Sequence, residues 1–326
     1  MPLLPNSTYK AVSIFKNGHL NTVYAAVFRR IGAIAYQRER LLTPDRDFLD
    51  LDWALVGRKS GRLLIALHGL EGSAQRPYIR GIARYFNQNG WDVLALNFRG
   101  CSGVLNLQLR SYHMGETSDL DFVIKTVLEK DQYQHIGLVG FSLGGNVVLK
   151  YMGERGAGIA PAIKAAVAFS VPCEMASANE VFNKWYNHLY LKRFMRSLNV
   201  KLQKKALLFP DKLDASKPLP RNFDEFDERY TAPAHGFQSA QEYWQKASSL
   251  PFISGIQVPT LLVNPADDSF LSKSCYPIQE AERSEAFYLE IPKWGGHCGF
   301  VTFDKNDVYW TERRALDFIN KALQRY

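Results

Sequence analysis

The stretch His135-Ile-Gly-Leu-Val-Gly-Phe-Ser-Leu-Gly-Gly-Asn146 decides the fold. Residues 135–141 form a short apolar run, as expected of a strand buried on both faces. The run breaks at Gly140-Phe-Ser-Leu-Gly-Gly145, and helical periodicity takes over across 146–153. A serine on a tight turn between strand and helix, flanked by glycines, has the G-x-S-x-G pattern of a nucleophile elbow. Such a turn holds the serine backbone in a sparsely populated conformation, and it closes only if the flanking residues are tiny. The Ser142 hydroxyl is then presented over the sheet at a helix N-terminus. There the Leu143 N–H is free to stabilise an oxyanion.

The same alternation extends in both directions. Residues 48–56 alternate apolar and polar side chains, which predicts a half-buried strand. Residues 62–68, 91–97, 163–171, 258–264 and 286–291 read as further strands. Helical stretches run up to about Asn89, over 116–130 and over 306–323. Strands alternating with helices predict an α/β fold, with a mostly parallel central sheet flanked by helices. Residues 1–45 read as an irregular lead-in with helical stretches such as 20–37. Residues 172–250 carry no strand signal and are rich in Trp, Tyr, Phe and Lys. They read as a helical lid insertion on the sheet's C-terminal edge, where ligands bind in such folds. All of 1–326 is read as one domain.

A serine is a weak nucleophile without a base, and the base needs a carboxylate to orient it. In this fold the chain order is Ser, then Asp or Glu, then His. The strand at 258–264 runs into Pro265-Ala-Asp-Asp-Ser-Phe270, and the next strand precedes Lys293-Trp-Gly-Gly-His-Cys-Gly299. These loops offer His297 as base and Asp268 or Asp267 as the acid. The strand-to-loop spacing favours Asp268 and leaves Asp267 to the turn. The strand at 62–67 ends in His68-Gly-Leu-Glu-Gly-Ser73, which makes the Leu70 N–H the second expected oxyanion donor. Singly, each feature has a plain structural reading: chance, a turn, a cap or a packed histidine. Four of them at four strand ends in the required order argue for catalysis.

Several of these motifs together resemble one family. His68-Gly-Leu-Glu-Gly-Ser73, Asn97-Phe-Arg-Gly-Cys-Ser-Gly103, Tyr112-His-Met-Gly-Glu-Thr117 and Gly140-Phe-Ser-Leu-Gly-Gly-Asn146 are similar to motifs of the YheT-type α/β-hydrolases. These are esterases related to the animal abhydrolase-domain lipases. Gly18-His19-Leu20, Phe223-Asp-Glu-Phe-Asp227 with Tyr243-Trp244, and Gly295-Gly-His-Cys-Gly-Phe300 extend the likeness along nearly the whole chain. The resemblance implies the α/β-hydrolase fold, with Ser142 as nucleophile, Asp268 as acid and His297 as base. Ser269 departs from the family pattern, which commonly has proline there. The implied reaction is hydrolysis of a carboxylic ester, with short- to medium-chain acyl or lipid-like substrates. Acyl transfer to an alcohol by the same three residues, or binding without catalysis, are the other readings.

Composition bounds the rest. The 326 residues are 46% hydrophobic and 22% charged, as in ordinary globular domains. No apolar run approaches the ~18 residues of a membrane span, and no secretory signal is read at the start, so a cytoplasmic location is expected. Cys101, Cys173, Cys275 and Cys298 have neither zinc-site nor disulfide-framework spacing, so no metal cluster is expected, and the serine chemistry needs no cofactor. The net charge is +8, and nearly all of it falls between Val181 and Lys217, where nine Lys and Arg face only Asp211 and Asp214. That segment reads as a lid helix with a solvated basic face, or as one making transient contact with an anionic membrane surface. No groove-reading motif accompanies it, so nucleic acid is not an expected partner. Arg99 to Gly103 reads as a glycine turn pinned by its arginine, Glu116 as a helix cap, and His19 and Cys298 as packing residues.

Overall fold

The computed structural model describes residues 2–57, 60–214 and 216–324. The strands are β1 (Leu3–Leu4), β2 (Gln37–Leu42), β3 (Phe48–Ala54), β4 (Arg62–Leu67), β5 (Asp92–Asn97), β6 (His135–Phe141), β7 (Ile163–Phe169), β8 (Thr260–Val263) and β9 (Phe287–Glu290). They form one sheet in the order β1-β9-β8-β7-β6-β4-β5-β3-β2. The pairings β2–β3 and β3–β5 are antiparallel, and every other pairing is parallel.

The central strands are apolar throughout because helices cover both faces. The helices α1 (Gly18–Val27), α2 (Pro77–Gln88), α3 (Thr117–Glu129) and α4 (Leu143–Arg155) come before β7. On one face, Ile136 and Leu138 of β6 pack with Leu120 and Val123 of α3 and Val147 of α4. On the other, Val139 and Phe141 pack with Ile82 and Phe86 of α2 and Ile319 of the closing helix Trp310–Leu323. The parallel crossovers bring the ends of β4, β6, β8 and β9 to the same edge of the sheet.

All seven strands expected from the sequence are present. The lead-in differs from its reading. The expected helix over 20–37 is α1, which ends at Val27, and Gln37 already begins β2. In β2 the sequence Gln-Arg-Glu-Arg hides strand character because its long cations are paired across the sheet. Arg38 stands opposite Asp52 and Arg40 opposite Asp50. Each guanidinium makes two hydrogen bonds to its carboxylate, at 2.7–2.9 Å. The same pairing corrects the half-buried reading of β3. All seven of its residues are buried, the two aspartates under the β2 arginines.

Arg99 pins its turn as expected. Its buried side chain donates to Asp45, Asp47 and Asp119 at 2.7–3.0 Å. Removing the cation leaves two buried carboxylates unpaired. Arg99→Met is therefore expected to destabilise the fold by about 3–5 kcal/mol, read as a lower denaturant midpoint. An unchanged midpoint would refute this account of the turn.

Residues 172–250 are helical, with α5 (Met175–Phe182), α6 (His188–Leu208), short turns over 223–234 and a helix at Ala240–Ala247. Phe182, Leu191, Met195, Leu198, Phe226 and Tyr230 form their own cluster, which closes on Phe270 of the β8 loop.

Candidate active site

β6 delivers Ser142 to the edge of the sheet. Its backbone has φ 52° and ψ −119°, the strained conformation the elbow requires. The turn closes only without side chains beside it. A Cβ at Gly140 would lie 2.3 Å from the Gly144 carbonyl oxygen, and one at Gly144 would lie 2.5 Å from the His68 carbonyl oxygen. The Ser142 N–H donates to the Phe169 carbonyl at 2.8 Å, which ties the turn to β7. The helix α4 begins immediately, at Leu143, rather than at the expected Asn146. The Leu143 N–H thus sits in the first turn, where N–H groups lack intrahelical partners.

The three residues expected to work together do meet. Ser142 Oγ lies 2.9 Å from His297 Nε2. His297 Nδ1 lies 2.9 Å from Asp268 Oδ2 and 3.2 Å from Oδ1. In that arrangement Nδ1–H donates to the carboxylate and Nε2 accepts from the serine. Asp268 is buried, and the Phe270 N–H donates to its Oδ1 at 3.0 Å. Burial alone would push the His297 pKa down, but the Asp268 carboxylate outweighs it and holds the imidazole above its ordinary value.

Asp267 has a different place. Its Oδ1 accepts the Gly296 N–H at 2.9 Å and so shapes the histidine loop, while burial pushes its carboxyl up to about 6. The N-terminal segment supports the same loop from outside. His297 N–H donates to Thr22 Oγ1 at 2.8 Å. Gly18 packs so closely that a Cβ there would lie 2.1 Å from the Asp267 carbonyl oxygen. His19 is a packing residue, as expected, with its ring stacked on Tyr190 at 5.8 Å.

Leu70 stands in the turn after β4, beside Ser142. The amides flanking its own are engaged: Gly69 N–H donates to Tyr78 Oη at 3.0 Å, and Glu71 N–H to Tyr112 Oη at 2.9 Å. His68 fixes the turn from beneath. Its Nδ1 is 2.7 Å from the Gly69 carbonyl and its Nε2 accepts the Phe98 N–H at 3.2 Å. Burial pushes its pKa down to about 4, so it is neutral and structural.

The relay opens into a cavity lined by Leu70, Leu143, Met175, Phe182, Phe194, Leu198, Phe226 and Phe270. The lining is mostly apolar and comes largely from the insertion. Two contacts here had no sequence signal. Lys201 of α6 donates to Glu71 at 2.7 Å, and Ser197 also bonds to Glu71, so the insertion is tied to the turn that carries Leu70. Asn146 bonds through its amide to the carbonyls of Met114 and Ala247, both at 2.8 Å, and accepts the Ser249 N–H. Such pairs join distant parts of the chain, and only the fold shows them. By contrast, Gly18-His19, which packs on the His297 loop, belongs to a motif that the resemblance marks.

Other candidates take structural roles. Cys101 is buried, and burial raises its pKa to about 11, which disqualifies it as a nucleophile. Cys298 packs against the core beside its loop. Glu116 is not the expected cap. It occupies the N-cap position of α3 without a capping bond, and instead lies 3.4 Å from His113 and accepts from Ser118. His113, Glu116 and His235 are close enough to suggest metal ligation. However, His113 Nδ1 accepts the Gly115 N–H, which leaves its proton on the nitrogen facing Glu116. That is the geometry of a hydrogen-bonded cluster rather than of a ligand set. The basic segment is also less exposed than expected, because Lys205 is buried against the carbonyls of Asn106 and Gln108.

A family model for the alpha/beta hydrolase fold matches residues 62–304. YheT of Escherichia coli (strain K12) is 30% identical over 316 residues, covering 95% of this chain and 92% of its own. The human phospholipase ABHD3 is 27% identical over 277 residues, covering 82% of this chain and 67% of its own. The human monoacylglycerol lipase ABHD2 is 26% identical over 356 residues, covering 99% and 82%. Among solved structures, the Pyrococcus furiosus esterase Pf2001 matches with a TM-score of 0.57 over 90% of this chain and 95% of its own. At 18% identity that likeness is one of fold. No helix among the described residues is long and apolar enough to cross a membrane.

Proposed function

The chain belongs to the α/β-hydrolase family, and from that premise we propose that it is a serine hydrolase that cleaves carboxylic esters. The observation that carries the reading is the relay Ser142–His297–Asp268, with both links at 2.9 Å, at the base of an apolar cavity. The relatives named phospholipase and monoacylglycerol lipase support ester hydrolysis as the reaction class.

In the proposed reaction His297 Nε2 takes the Ser142 proton as Oγ attacks the ester carbonyl carbon. The carbonyl π electrons move to oxygen, and the oxyanion is held by the N–H groups of Leu70 and Leu143. The imidazolium, stabilised by Asp268, gives its proton to the departing alkoxide, which leaves as an alcohol. A water then loses its proton to His297 as it attacks the acyl-enzyme. The tetrahedral intermediate collapses to the free acid as the imidazolium returns that proton to the departing Ser142 Oγ, which restores both residues. The substrate is a short- to medium-chain acyl ester or a lipid-like ester. The aromatic and aliphatic wall from α5 and α6 suits an acyl chain better than a polar one. Residues 172–250 act as a lid on this reading, with Lys201–Glu71 joining the lid to the oxyanion turn.

A fluorophosphonate tests the reading without knowledge of the substrate. Intact-protein mass should show one adduct on the wild type and none on Ser142→Ala. A folded wild type that takes no adduct, or a variant that still takes one, would sink the assignment.

A further inference from the structure

Beside the His297 loop lies an apolar surface that the fold leaves uncovered. The helix α1 buries Asn21 and Thr22 against that loop and turns Leu20, Val23 and Val27 to solvent. These positions fall at i, i+3 and i+7, which is one stripe of a helix. A stripe of this kind ordinarily packs inward, but here the polar side packs and the apolar side faces out. The tip of the insertion stands next to it. The His19 ring meets Tyr190 at 5.8 Å and Tyr186 at 6.1 Å, and Trp185 lies edge-on to Tyr186. Trp185 is 85% exposed and Leu189 is 82% exposed, well beyond what packing would leave.

The charge around this surface is of one sign. Residues 1–38 contain no acidic residue; Arg29 is paired with Glu312 and Arg38 with Asp52, which leaves Lys10, Lys16 and Arg30 exposed there, and no acidic residue occurs between Glu180 and Asp211. Within that second stretch Lys201 and Lys205 are bonded inward. Lys184, Lys192, Arg193 and Arg196 are exposed, and none of them has an ion-pair partner among the described residues. The occupant must therefore accept apolar side chains and present negative charge around them. Trp and Tyr beside Lys and Arg is the pattern that settles at a lipid headgroup layer. We propose that α1 and the insertion tip from Lys184 to Arg193 form a docking face for an anionic phospholipid membrane.

The placement gives the face a purpose. Tyr190 is edge-on to Phe270 at 4.9 Å, and Phe270 lies 4.2 Å from the His297 ring. Docking would bring lipid to within two rings of the Ser142 relay. The docking claim stands without that relay, and only its link to activity rests on the ester-hydrolase reading.

Flotation with phosphatidylcholine vesicles, with and without phosphatidylserine, tests the proposal. The wild type should bind the phosphatidylserine vesicles, bind pure phosphatidylcholine far less, and be released as salt rises. Lys184→Gln/Lys192→Gln/Arg193→Gln should weaken binding by about a hundredfold. Trp185→Ser/Leu189→Ser and Leu20→Ser/Val23→Ser/Val27→Ser should each weaken it by about tenfold or more. All three variants should keep the wild-type Tm and the wild-type rate on a water-soluble ester, which shows that they are folded. Equal or absent binding of the wild type to the two vesicles would overturn the proposal. So would a concentration-dependent dimer that the serine variants split, which would assign the face to a second copy of this chain. Vesicle binding as expected from a wild type inert on every ester would leave docking standing and remove the hydrolase reading alone.

Discussion

Ser142→Ala is expected to lower kcat on a soluble carboxylic ester by about a hundred-thousandfold to a millionfold, with KM little changed. The size follows from what the hydroxyl does. In the proposed reaction it forms the covalent bond, so its loss removes the acyl-enzyme route altogether. What remains is the binding cavity and the Leu70 and Leu143 amides, which together are worth about a thousandfold or more over water. His297→Ala should cost nearly as much, because a serine whose Oγ has lost the base at 2.9 Å is an ordinary alcohol. The double variant should be no worse than either single one, since the two residues act as a unit. Stopped assays on all three variants, at equal protein and with circular dichroism to show folding, check this. A Ser142→Ala enzyme near the wild-type rate would mean that the chemistry lies elsewhere. Fully additive losses would mean that the two residues do not share a step.

The strand ends were readable in the sequence because buried parallel strands are continuous apolar runs and each runs into a turn marked by glycine or proline. Ser142, Asp268 and His297 sit on such ends, so their meeting followed from topology. The features without a local signal are those whose pattern is cancelled by a distant partner. The strand β2 looks like charged coil until Asp50 and Asp52 neutralise its arginines. The helix of α1 is expected from the sequence, but its role is not, because Thr22 accepts the His297 N–H from 275 residues away. Lys201 and Lys205 read as solvated charge because nothing near them in sequence shows the Glu71 carboxylate or the buried carbonyls they reach. Periodicity reports what faces the core but cannot report which buried polar group another segment satisfies.

Asp268 and Asp267 are adjacent, and substituting each by asparagine should separate their roles. Asp268→Asn is expected to lower kcat by about ten-thousandfold, as loss of the orienting carboxylate does in a serine triad. The amide can donate to Nδ1, which favours the tautomer with its proton on Nε2, and that imidazole cannot take the serine proton. Asp267→Asn keeps an acceptor for the Gly296 N–H and should cost no more than about tenfold. The pH profile adds a readout that disordered packing would not mimic. The base must be neutral to act, and Asp268 holds the His297 pKa above its ordinary value of 6.5. In the wild type, kcat/KM should therefore rise with pH through a midpoint above 6.5. In Asp268→Asn the carboxylate is gone while burial remains, and burial favours the neutral ring. The residual activity should reach its plateau at lower pH than in the wild type. Asp267→Asn leaves the carboxylate beside Nδ1 and should leave the midpoint near its wild-type position. If instead the Asp267 variant moved the midpoint and took the large loss, the hydrogen bonds from His297 to Asp268 would not be the ones that operate in turnover, and Asp267 would be the acid of the triad.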